Sequence, residues 1–348
     1  MINKLDQQTL PTDSCPHLPQ ITVAVCTYNR AGVLEECLES LVNQTVDGNT
    51  FEVIVVNNGS TDQTQQVAQR FANQYPTFHV IVENKPGLSH ARNLAFRTAR
   101  SKWISYIDDD AKAFPNFVER ALSTVATHGF DCFGGIYVPW YKFGRPKWYR
   151  DQWASNQAGK PTRVGTMQHD FASGGVMVFR KNVLEQLHGF SLRLGMIGGK
   201  TAYGEETQLQ VAMRNSGMTI GFDPELRVEH LVSKEKLTMR WFFKSAFAAG
   251  RDSWNTFGAQ PSCWKLIRQI ISLPGTFFWK SAKTTCRLFC KDYYLQSWLV
   301  DTLRPCAYRI GRIYGCWQQM DHQIFPTSWG DQMDDTTQKI DYHDQQPG

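Results

Sequence analysis

Residues 21–30 read ITVAVCTYNR, and residues 51–62 read FEVIVVNNGSTD. Each stretch begins as a short run of apolar, largely β-branched residues and ends in a polar turn. Continuous apolar runs of this length are typical of strands buried on both faces of a parallel sheet. Between the two runs, the apolar residues of segment 31–44 recur every three or four positions, which predicts an amphipathic helix. The repeating unit is therefore a strand, a polar turn and a helix.

The same alternation continues as far as residue 110. Segment 79–82 predicts a third strand, segment 88–100 a helix, and segment 103–107, WISYI, a fourth strand that leads into three aspartates. Strands that alternate with helices predict an α/β fold with a parallel sheet covered by helices on both faces. In such sheets, ligands bind beyond the carboxyl ends of the strands, which is where these polar turns lie.

Composition, net charge and cysteine spacing exclude several classes of protein. A length of 348 residues allows one large domain or two modest ones, and 42% hydrophobic with 20% charged residues excludes a disordered chain or a coiled coil. The net charge of +5 is too small to indicate a nucleic-acid-binding protein, so we expect no nucleic-acid partner. The nine cysteines show no CxxC spacing, which argues against both a disulfide framework and a zinc knuckle, and we expect reduced thiols.

The three aspartates that follow the fourth strand are a candidate metal site. Neighbouring carboxylates repel one another unless a cation or a proton neutralises them, so Asp108, Asp109 and Asp110 suit Mg²⁺ or Mn²⁺. A solvated acidic turn is the alternative. Other strand ends favour the metal site because they carry hydrogen-bonding groups suited to a nucleotide: Thr27, Asn29 and Arg30 after the first strand, and Asn58, Ser60 and Asp62 after the second.

Six motifs, in this order, resemble glycosyltransferase family 2 and its GT-A nucleotide-sugar fold: VAVCTYNR, VIVVNNGSTD, GLSHARNLA, YIDDDA, ASGGVMVFR and YGEETQL. They extend over roughly residues 20–235. The resemblance implies a Rossmann-like, mostly parallel sheet between helices, with a C-terminal helical extension. It also implies an inverting hexosyltransferase that moves a sugar from a nucleoside diphosphate sugar, with a UDP-sugar as the expected donor. The acceptor would be a saccharide or a lipid-linked glycan, in polysaccharide or cell-envelope glycan synthesis.

The resemblance further implies roles for individual residues. The nucleotide-sugar pocket would be formed by Thr27, Tyr28, Asn29, Arg30, Asn58, Arg92, Asp108, Asp109, Gly174 and Gly175. Asn58 stands where the family often has a base-binding Asp, which makes the choice of base less secure. Asp108 and Asp110 match the ends of the D-x-D motif, and His230 resembles a late metal ligand, so these three would hold Mn²⁺ or Mg²⁺. A surface or core histidine is the alternative for His230, and an exposed helix arginine is the alternative for Arg92.

Glu205 and Glu206 occupy the place of the family's acidic pair, whose second member is the catalytic base. Glu206 is therefore the expected base, and Glu205 is the alternative because glutamate is one methylene longer than the aspartate of the family. A helix N-terminus whose acids favour the helix dipole would explain the same pair. One base without a second nucleophile implies single displacement with inversion.

Two aromatic-rich regions leave alternatives open. The aromatic side chains of loop 140–153 could stack on sugar rings or pack the loop itself; they are Trp140, Tyr141, Trp148, Tyr149 and Trp153. Segment 261–320 combines aromatic residues with Lys and Arg. This pattern predicts either a helical surface in peripheral contact with an anionic membrane or a helical subdomain that covers the core, and we favour the membrane.

The predicted organisation has four parts: a flexible N-terminus (1–19), a GT-A catalytic domain (20–235), a helical basic and aromatic region (236–320) and a polar disordered tail (321–348). We expect the protein in the cytoplasm, with peripheral contact with the cytoplasmic face of the membrane. Two other classes remain. A nucleotidyltransferase would need a basic, glycine-rich phosphate loop, which VAVCTYNR lacks. In a non-catalytic carbohydrate-binding protein the aromatic residues would matter and the acids would be idle.

Overall fold

The computed structural model describes residues 18–197 and 201–324. The predicted flexible N-terminus and the predicted tail lie almost wholly outside the described residues. Residues 321–324 are the exception within the tail, because they form the end of the last helix. The prediction of a tail from residue 321 is therefore corrected at these four positions.

Strands and helices alternate over the first half of the chain. The strands of the described residues are β1 (Ile21–Thr27), β2 (Phe51–Asn57), β3 (Phe78–Val82), β4 (Trp103–Asp108), β5 (Ala111–Ala113), β6 (Cys132–Trp140), β7 (Gly165–Thr166), β8 (Val176–Arg180) and β9 (Ile220–Leu231). The α-helices are α1 (Ala31–Val42), α2 (Thr64–Gln74), α3 (Leu88–Thr98), α4 (Phe117–Thr127), α5 (Lys181–Gln186), α6 (Glu205–Asn215), α7 (Met239–Thr256), α8 (Cys263–Thr285) and α9 (Leu295–Ile324).

The strands form one sheet in the order β3-β2-β1-β4-β8-β6-β9-β5, and β7 pairs with β9. The run β3-β2-β1-β4 is parallel, which confirms the predicted α/β class. Beyond it, β8 is antiparallel to both β4 and β6, and β6 is parallel to β9. Because parallel strands end at the same edge, the polar turns after β1, β2 and β4 lie at one edge of the sheet.

Both faces of the parallel strands are buried. Successive side chains of a strand point to opposite faces. Accordingly, Val23 and Val25 of β1 pack in one core with residues of α1 and α4, while Ala24 packs in the other core with residues of α3 and α5. The uninterrupted apolar runs of the sequence therefore correspond to strands covered by helices on both sides.

Four elements of the structure differ from what the sequence patterns predict. Strand β5 and helix α4 are not among the predicted elements, and within the motif ASGGVMVFR the strand begins only at Val176. Strand β9 lies beyond the predicted alternation of strands and helices and reaches Leu231, because its later residues pair with both β6 and β5. The differences in the strands share a cause, since strand pairing with distant segments leaves no local periodicity in the sequence.

The chain forms two compact units. The first contains the described residues up to Lys142 together with Asp151–Leu192 and Leu209–Val232. The second contains Phe143–Arg150, Arg193–Gln208 and the described residues from Ser233 onward. This division differs from the predicted continuous domain 20–235, because two segments within that range pack with the C-terminal helices. For example, Ser297 donates a hydrogen bond to the carbonyl of Trp148, and the N–H of Tyr203 donates one to Asp252.

Helices α7, α8 and α9 build the second unit. The α7 and α9 backbones approach each other closely at glycines: a Cβ atom added to Gly311 would lie 2.0 Å from the carbonyl oxygen of Phe247. A Cβ atom at Gly250 would lie 1.9 Å from the carbonyl oxygen of Tyr308. Within the ranges 18–197 and 201–324, no helix has the combination of length and apolar character that crossing a membrane requires.

Candidate active site

The loops that follow β1 and β2 are tied to each other by hydrogen bonds. The N–H of Asn29 donates to Oγ of Ser60 at 2.9 Å, and Oδ1 of Asn29 accepts from the N–H of Thr61 at 2.8 Å. Asn29 has φ 53°, in the left-handed region that asparagine tolerates better than most residues. On either side of it, Tyr28 and Arg30 expose their side chains at the carboxyl edge of the sheet.

Asn58 is buried and uses its side-chain amide to hold another loop. Its Nδ2 donates to the carbonyl oxygens of Glu83 and Lys85 at 3.0 and 2.7 Å, and its Oδ1 accepts from the N–H of Gly87 at 2.8 Å. Its own N–H donates to the carbonyl of Thr27 at 2.9 Å. Both polar atoms of the Asn58 amide are thus occupied by the backbone of the β3–α3 loop.

Asp108, Asp110 and His230 lie together in the first unit. Asp108 is the last residue of β4, and Asp110 precedes β5. His230 approaches them because β9 pairs with β5 and places His230 opposite Ala111. The Nε2 atom of His230 is 3.3 Å from Oδ2 of Asp108 and 3.3 Å from Oδ1 of Asp110. The structure therefore brings together the three residues that the sequence assigned to a metal.

The chemistry of this trio fits a divalent cation. One ligand atom from each of Asp108, Asp110 and His230 lies within 4.8 Å of the others. Two carboxylates and one imidazole form an oxygen-rich donor set with a single nitrogen, which suits Mn²⁺ and Mg²⁺. Bringing two carboxylates together is costly unless a positive charge balances them.

Asp109 is also buried, but it is not part of the trio. Burial and the negative charge of Asp110 raise the pKa of Asp109 to about 7. The guanidinium of Arg30 opposes this rise, since its Nε is 3.9 Å from Oδ1 of Asp109. Asp109 thus links the acidic turn after β4 to the loop after β1.

Arg92 is buried, with 3% of its surface exposed, and is not an exposed helix arginine. Its Nη2 donates to the carbonyl of Gly174 at 3.3 Å and lies 3.9 Å from Oδ1 of Asp108. The guanidinium also lies 5.4 Å from the ring centroid of Phe190, within cation–π range. On the other side of Asp108, a Cβ atom at Gly175 would lie 2.8 Å from Oδ2 of Asp108. Gly175 therefore allows the backbone that leads into β8 to approach the acidic cluster.

Glu205 and Glu206 form the first turn of α6 and belong to the second unit. Glu205 is buried, whereas Glu206 is half-buried. Burial raises the pKa of the Tyr203 phenol; Arg304 lowers it, and the charges of Asp252, Glu206 and Glu205 add to the rise. Both acids therefore lie at the positive end of the α6 dipole.

The aromatic loop contributes packing as well as surface. Tyr149 is 2% exposed, and its ring centroid is 5.7 Å from that of Phe242. Trp148 also contacts the Phe242 ring, at 6.2 Å between centroids. For Trp148 and Tyr149, the structure thus supports the packing alternative. Trp140 instead has the ammonium of Lys112 over its ring, 4.1 Å from the centroid.

Two residues that contact Arg92, Tyr106 and Phe190, were not predicted from the sequence. The hydroxyl of Tyr106 donates to the carbonyl of Arg92 at 2.9 Å, and the Tyr106 ring meets Phe190 edge-on at 5.4 Å. Tyr106 could have been found, because it lies two residues before Asp108 and so shares its side of the strand. Phe190 has no such signal, since it is distant in sequence and follows no motif.

Residues 22–188 match the family described as Glycosyl transferase family 2. The chain is 31% identical over 119 residues to glycosyltransferase AglE of Haloferax volcanii, an alignment that covers 34% of this chain and 39% of AglE. It is 22% identical over 240 residues to the glucosyl-dolichyl phosphate glucuronosyltransferase of the same organism, covering 66% of this chain and 75% of that protein. The chain thus spans about two fifths of the length of AglE.

Among solved structures, the mannosyltransferase PcManGT from Pyrobaculum calidifontis, in complex with GDP-Man and Mn²⁺, has a similar fold. The TM-score is 0.60 at 16% identity, over 87% of this chain and 88% of that chain. This likeness supports the predicted GT-A fold. Residues 22–188, slightly less than half of the chain, therefore form a glycosyltransferase family 2 domain.

Proposed function

We propose that the protein is a metal-dependent, inverting glycosyltransferase that uses a nucleoside diphosphate sugar. The observation that carries the proposal is the trio of Asp108, Asp110 and His230 at the edge of the sheet where β1, β2 and β4 end. That edge is where α/β proteins bind ligands. Family membership supports the class of reaction, and PcManGT, which has the same fold, holds GDP-Man and Mn²⁺ in its own structure.

The first unit is proposed to bind the donor. Asp110, Asp108 and His230 would hold Mn²⁺ or Mg²⁺, which supplies Lewis-acid neutralisation of the charge that develops on the departing diphosphate. Arg92 keeps a fixed positive charge 3.9 Å from Asp108 and so orients that carboxylate. Tyr28 and Arg30 are exposed on the loop after β1, where they can contact the nucleotide.

Asn58 would act on the donor indirectly. Its amide holds the backbone of the β3–α3 loop through three hydrogen bonds. That loop lies beside the carboxyl end of β2, so Asn58 would fix the shape of the nucleotide pocket. The preference for a UDP-sugar comes from the family resemblance, and PcManGT with its GDP-Man makes GDP the nucleotide to compare.

Glu206 is the proposed catalytic base, and Glu205 is the alternative. A base must reach the acceptor hydroxyl and take its proton as the oxygen attacks the anomeric carbon. Glu206 is half-buried and can meet an acceptor, whereas Glu205 is buried with 5% of its surface exposed. The position at the N-terminus of α6 helps to keep the carboxylate ionised and ready to accept the proton.

The acceptor is proposed to be a saccharide or a lipid-linked glycan, in polysaccharide or cell-envelope glycan synthesis. A relative named for its action on glucosyl-dolichyl phosphate supports the lipid-linked class.

The eight cysteines within the described residues are free thiols, which fit a reducing compartment. We therefore place the reaction in the cytoplasm.

Calorimetric titration tests the donor half of the proposal. The protein is titrated with UDP, GDP and dTDP, with Mn²⁺ or with a chelator. We expect one nucleotide to bind only with metal, and Asp110→Ala to weaken that binding at least about tenfold. Asp170→Asn is the matched control, because its half-exposed carboxylate pairs with Lys160 and with the N–H of Phe171 and lies outside the proposed metal trio. Equal nucleotide affinity with and without chelator would contradict the proposal. The absence of any nucleotide binding would also contradict it and would favour a carbohydrate-binding protein.

Transfer assays test the catalytic half. Glu206→Gln should lower the turnover number by about 10²-fold or more, with little change in nucleotide affinity, because it removes only the proton acceptor. Glu205→Gln is the comparison variant, and the larger loss identifies the base. NMR of the product then reports the anomeric configuration. A product that retains the donor configuration would exclude single displacement.

A further inference from the structure

Helix α8 exposes an apolar stripe to solvent. Trp264, Ile267, Ile271 and Phe278, here called the α8 apolar face, follow one another at spacings of three, four and seven residues, which places them on one side of a helix. Their exposed fractions are 73%, 45%, 72% and 69%. Isolated exposed apolar residues are ordinary, but a row of large ones along four turns marks a binding surface.

The opposite side of α8 packs against α9 partly through polar groups. Arg309 of α9 donates to Oγ of Ser272 at 2.6 Å, and the hydroxyl groups of Thr284 and Thr302 lie 3.0 Å apart. In a helix of a water-soluble protein the apolar stripe normally faces the core. In α8, large apolar residues point away from its neighbouring helix, so this side of the helix has the character of a binding face.

The charge around the α8 apolar face has one sign. Six basic residues and no acidic residue lie between Cys263 and Lys291; they are Lys265, Arg268, Lys280, Lys283, Arg287 and Lys291. All of these except Lys280 are exposed. Two further aromatic side chains extend the surface, since Trp279 is 69% exposed and Phe289 is 90% exposed. An occupant of this surface must be apolar at its centre and negative at its edges.

We propose that α8 lies in the interface of a membrane that contains anionic lipids, with the α8 apolar face inserted and the basic residues among the headgroups. Trp264 and Trp279 suit that depth, because indole rings prefer the boundary between hydrocarbon and water. A second copy of the chain fits less well, since a symmetric contact would bring two like-charged surfaces together. The proposal concerns binding alone and does not depend on the proposed glycosyl transfer.

Vesicle sedimentation tests the apolar contribution. The full-length protein is mixed with vesicles of phosphatidylcholine alone or with 30% phosphatidylglycerol, at about 0.1 M salt. We expect binding to the anionic vesicles only. The double variant Ile271→Glu with Phe278→Glu should lose at least about tenfold in vesicle affinity. Leu18→Glu is the control, because Leu18 is 70% exposed but lies in the first unit and should keep wild-type binding.

A second pair of variants tests the charge. Lys265→Glu with Lys283→Glu should weaken binding to anionic vesicles about tenfold or more, and the wild-type affinity should fall as salt rises. The control is Arg97→Glu with Lys102→Glu, which makes the same change of charge at two exposed positions of the first unit. Far-ultraviolet circular dichroism confirms that each variant is folded. Because neither Lys265 nor Lys283 is buried, these variants test the proposal even if the apolar pair fails to fold.

Each opposite outcome overturns the proposal. One is equal binding to neutral and anionic vesicles, and another is unchanged binding of folded variants. A third is a wild-type dimer in sedimentation velocity that Phe278→Glu converts to a monomer, which would assign the face to a second copy. No nucleotide or transfer reaction enters these measurements, so their result is separate from that of the donor and transfer assays.

Discussion

At the scale of single residues, the site depends on the absence of a side chain at Gly175 as well as on the acidic and basic side chains around it. Gly175 has no side chain where a Cβ atom would lie 2.8 Å from Oδ2 of Asp108 and 3.6 Å from Cδ2 of His230. A methyl group there would displace the carboxylate of Asp108, a proposed metal ligand. Asn58 shows the reverse case: its side-chain nitrogen donates two hydrogen bonds, which a carboxylate in the same place could not do.

The variant Asn58→Asp tests that distinction. A carboxylate cannot donate to the carbonyl oxygens of Glu83 and Lys85 and would repel them, so we expect the free energy of unfolding to fall by about 3 kcal/mol. Urea unfolding measures this loss, and hydrogen exchange should quicken in residues 83–87. Asn73→Asp is the control, since Asn73 is exposed, and should change stability by no more than about 0.5 kcal/mol. Unchanged stability in Asn58→Asp would mean that this side chain is free to face the nucleotide base.

At the scale of elements, a buried carboxylate fastens β2 to its neighbours. Glu52 is 1% exposed; it accepts hydrogen bonds from the hydroxyl of Thr22 on β1 and from the backbone N–H and Nε of Arg100, which follows α3. Burial raises the pKa of Glu52, but these hydrogen bonds and the charge of Arg100 outweigh it, so the pKa lies below its ordinary 4.5. The ionised Glu52 side chain thus joins β2 to β1 and to the segment that follows α3.

This lowered pKa predicts how stability changes with pH. A carboxyl group whose pKa is lower in the folded state stabilises fully above its unfolded pKa and loses that contribution as pH falls through the folded pKa. The wild type should therefore exceed Glu52→Gln in unfolding free energy at pH 7, and the difference should shrink below about pH 4.5. Urea unfolding over pH 3–7 measures it.

Glu35→Gln provides the matched control for that series. Glu35 is also paired with an arginine, Arg70, but both side chains are about half exposed. Exposed pairs contribute about 0–1 kcal/mol, so this variant should follow the wild type across the whole pH range. If Glu52→Gln and Glu35→Gln give the same pH profile of unfolding free energy, the ionised Glu52 carboxylate does not stabilise the fold through its hydrogen bonds to Thr22 and Arg100.

At the scale of the whole molecule, each unit has its own means of cohesion. The first is held by a sheet covered on both faces, and the second by the close contact of α7 and α9. Glycine is required in that contact, since Gly250 and Gly311 face backbone atoms at distances that no Cβ atom could tolerate. Gly275 of α8, by contrast, has no atom within 4 Å of where its Cβ would be.

These two environments give a pair of opposite predictions. Gly311→Ala should destabilise the second unit by about 3 kcal/mol, because α7 and α9 must separate to admit the methyl group. Gly275→Ala should be neutral or should stabilise by up to about 1 kcal/mol, since alanine favours the helix and meets no neighbour. Hydrogen exchange resolved by peptide locates the effect in α7 and α9. Equal stability of the two variants would show that the helices are not in close contact at Gly311.

The sequence by itself determined the parallel part of the fold and the placement of the acids. Apolar runs and helical spacing are local properties, so β1, β2 and β4 and their polar ends could be predicted within about two residues of the observed bounds. The aspartates begin with the last residue of β4, and chain connectivity alone puts them at the carboxyl edge. The family resemblance likewise identified the acids at the start of α6.

Only the tertiary structure decided which distant residues join them. His230 reaches Asp108 and Asp110 because β9 extends past Phe222 and pairs with β5, and that pairing depends on packing energy summed over segments far apart in the chain. The burial of Arg92 and the hydrogen bonds of the Asn58 amide could not be predicted from the sequence for the same reason. The outward direction of the α8 apolar face was hidden too, because a helical pattern shows that one side is apolar but not which side its neighbour covers.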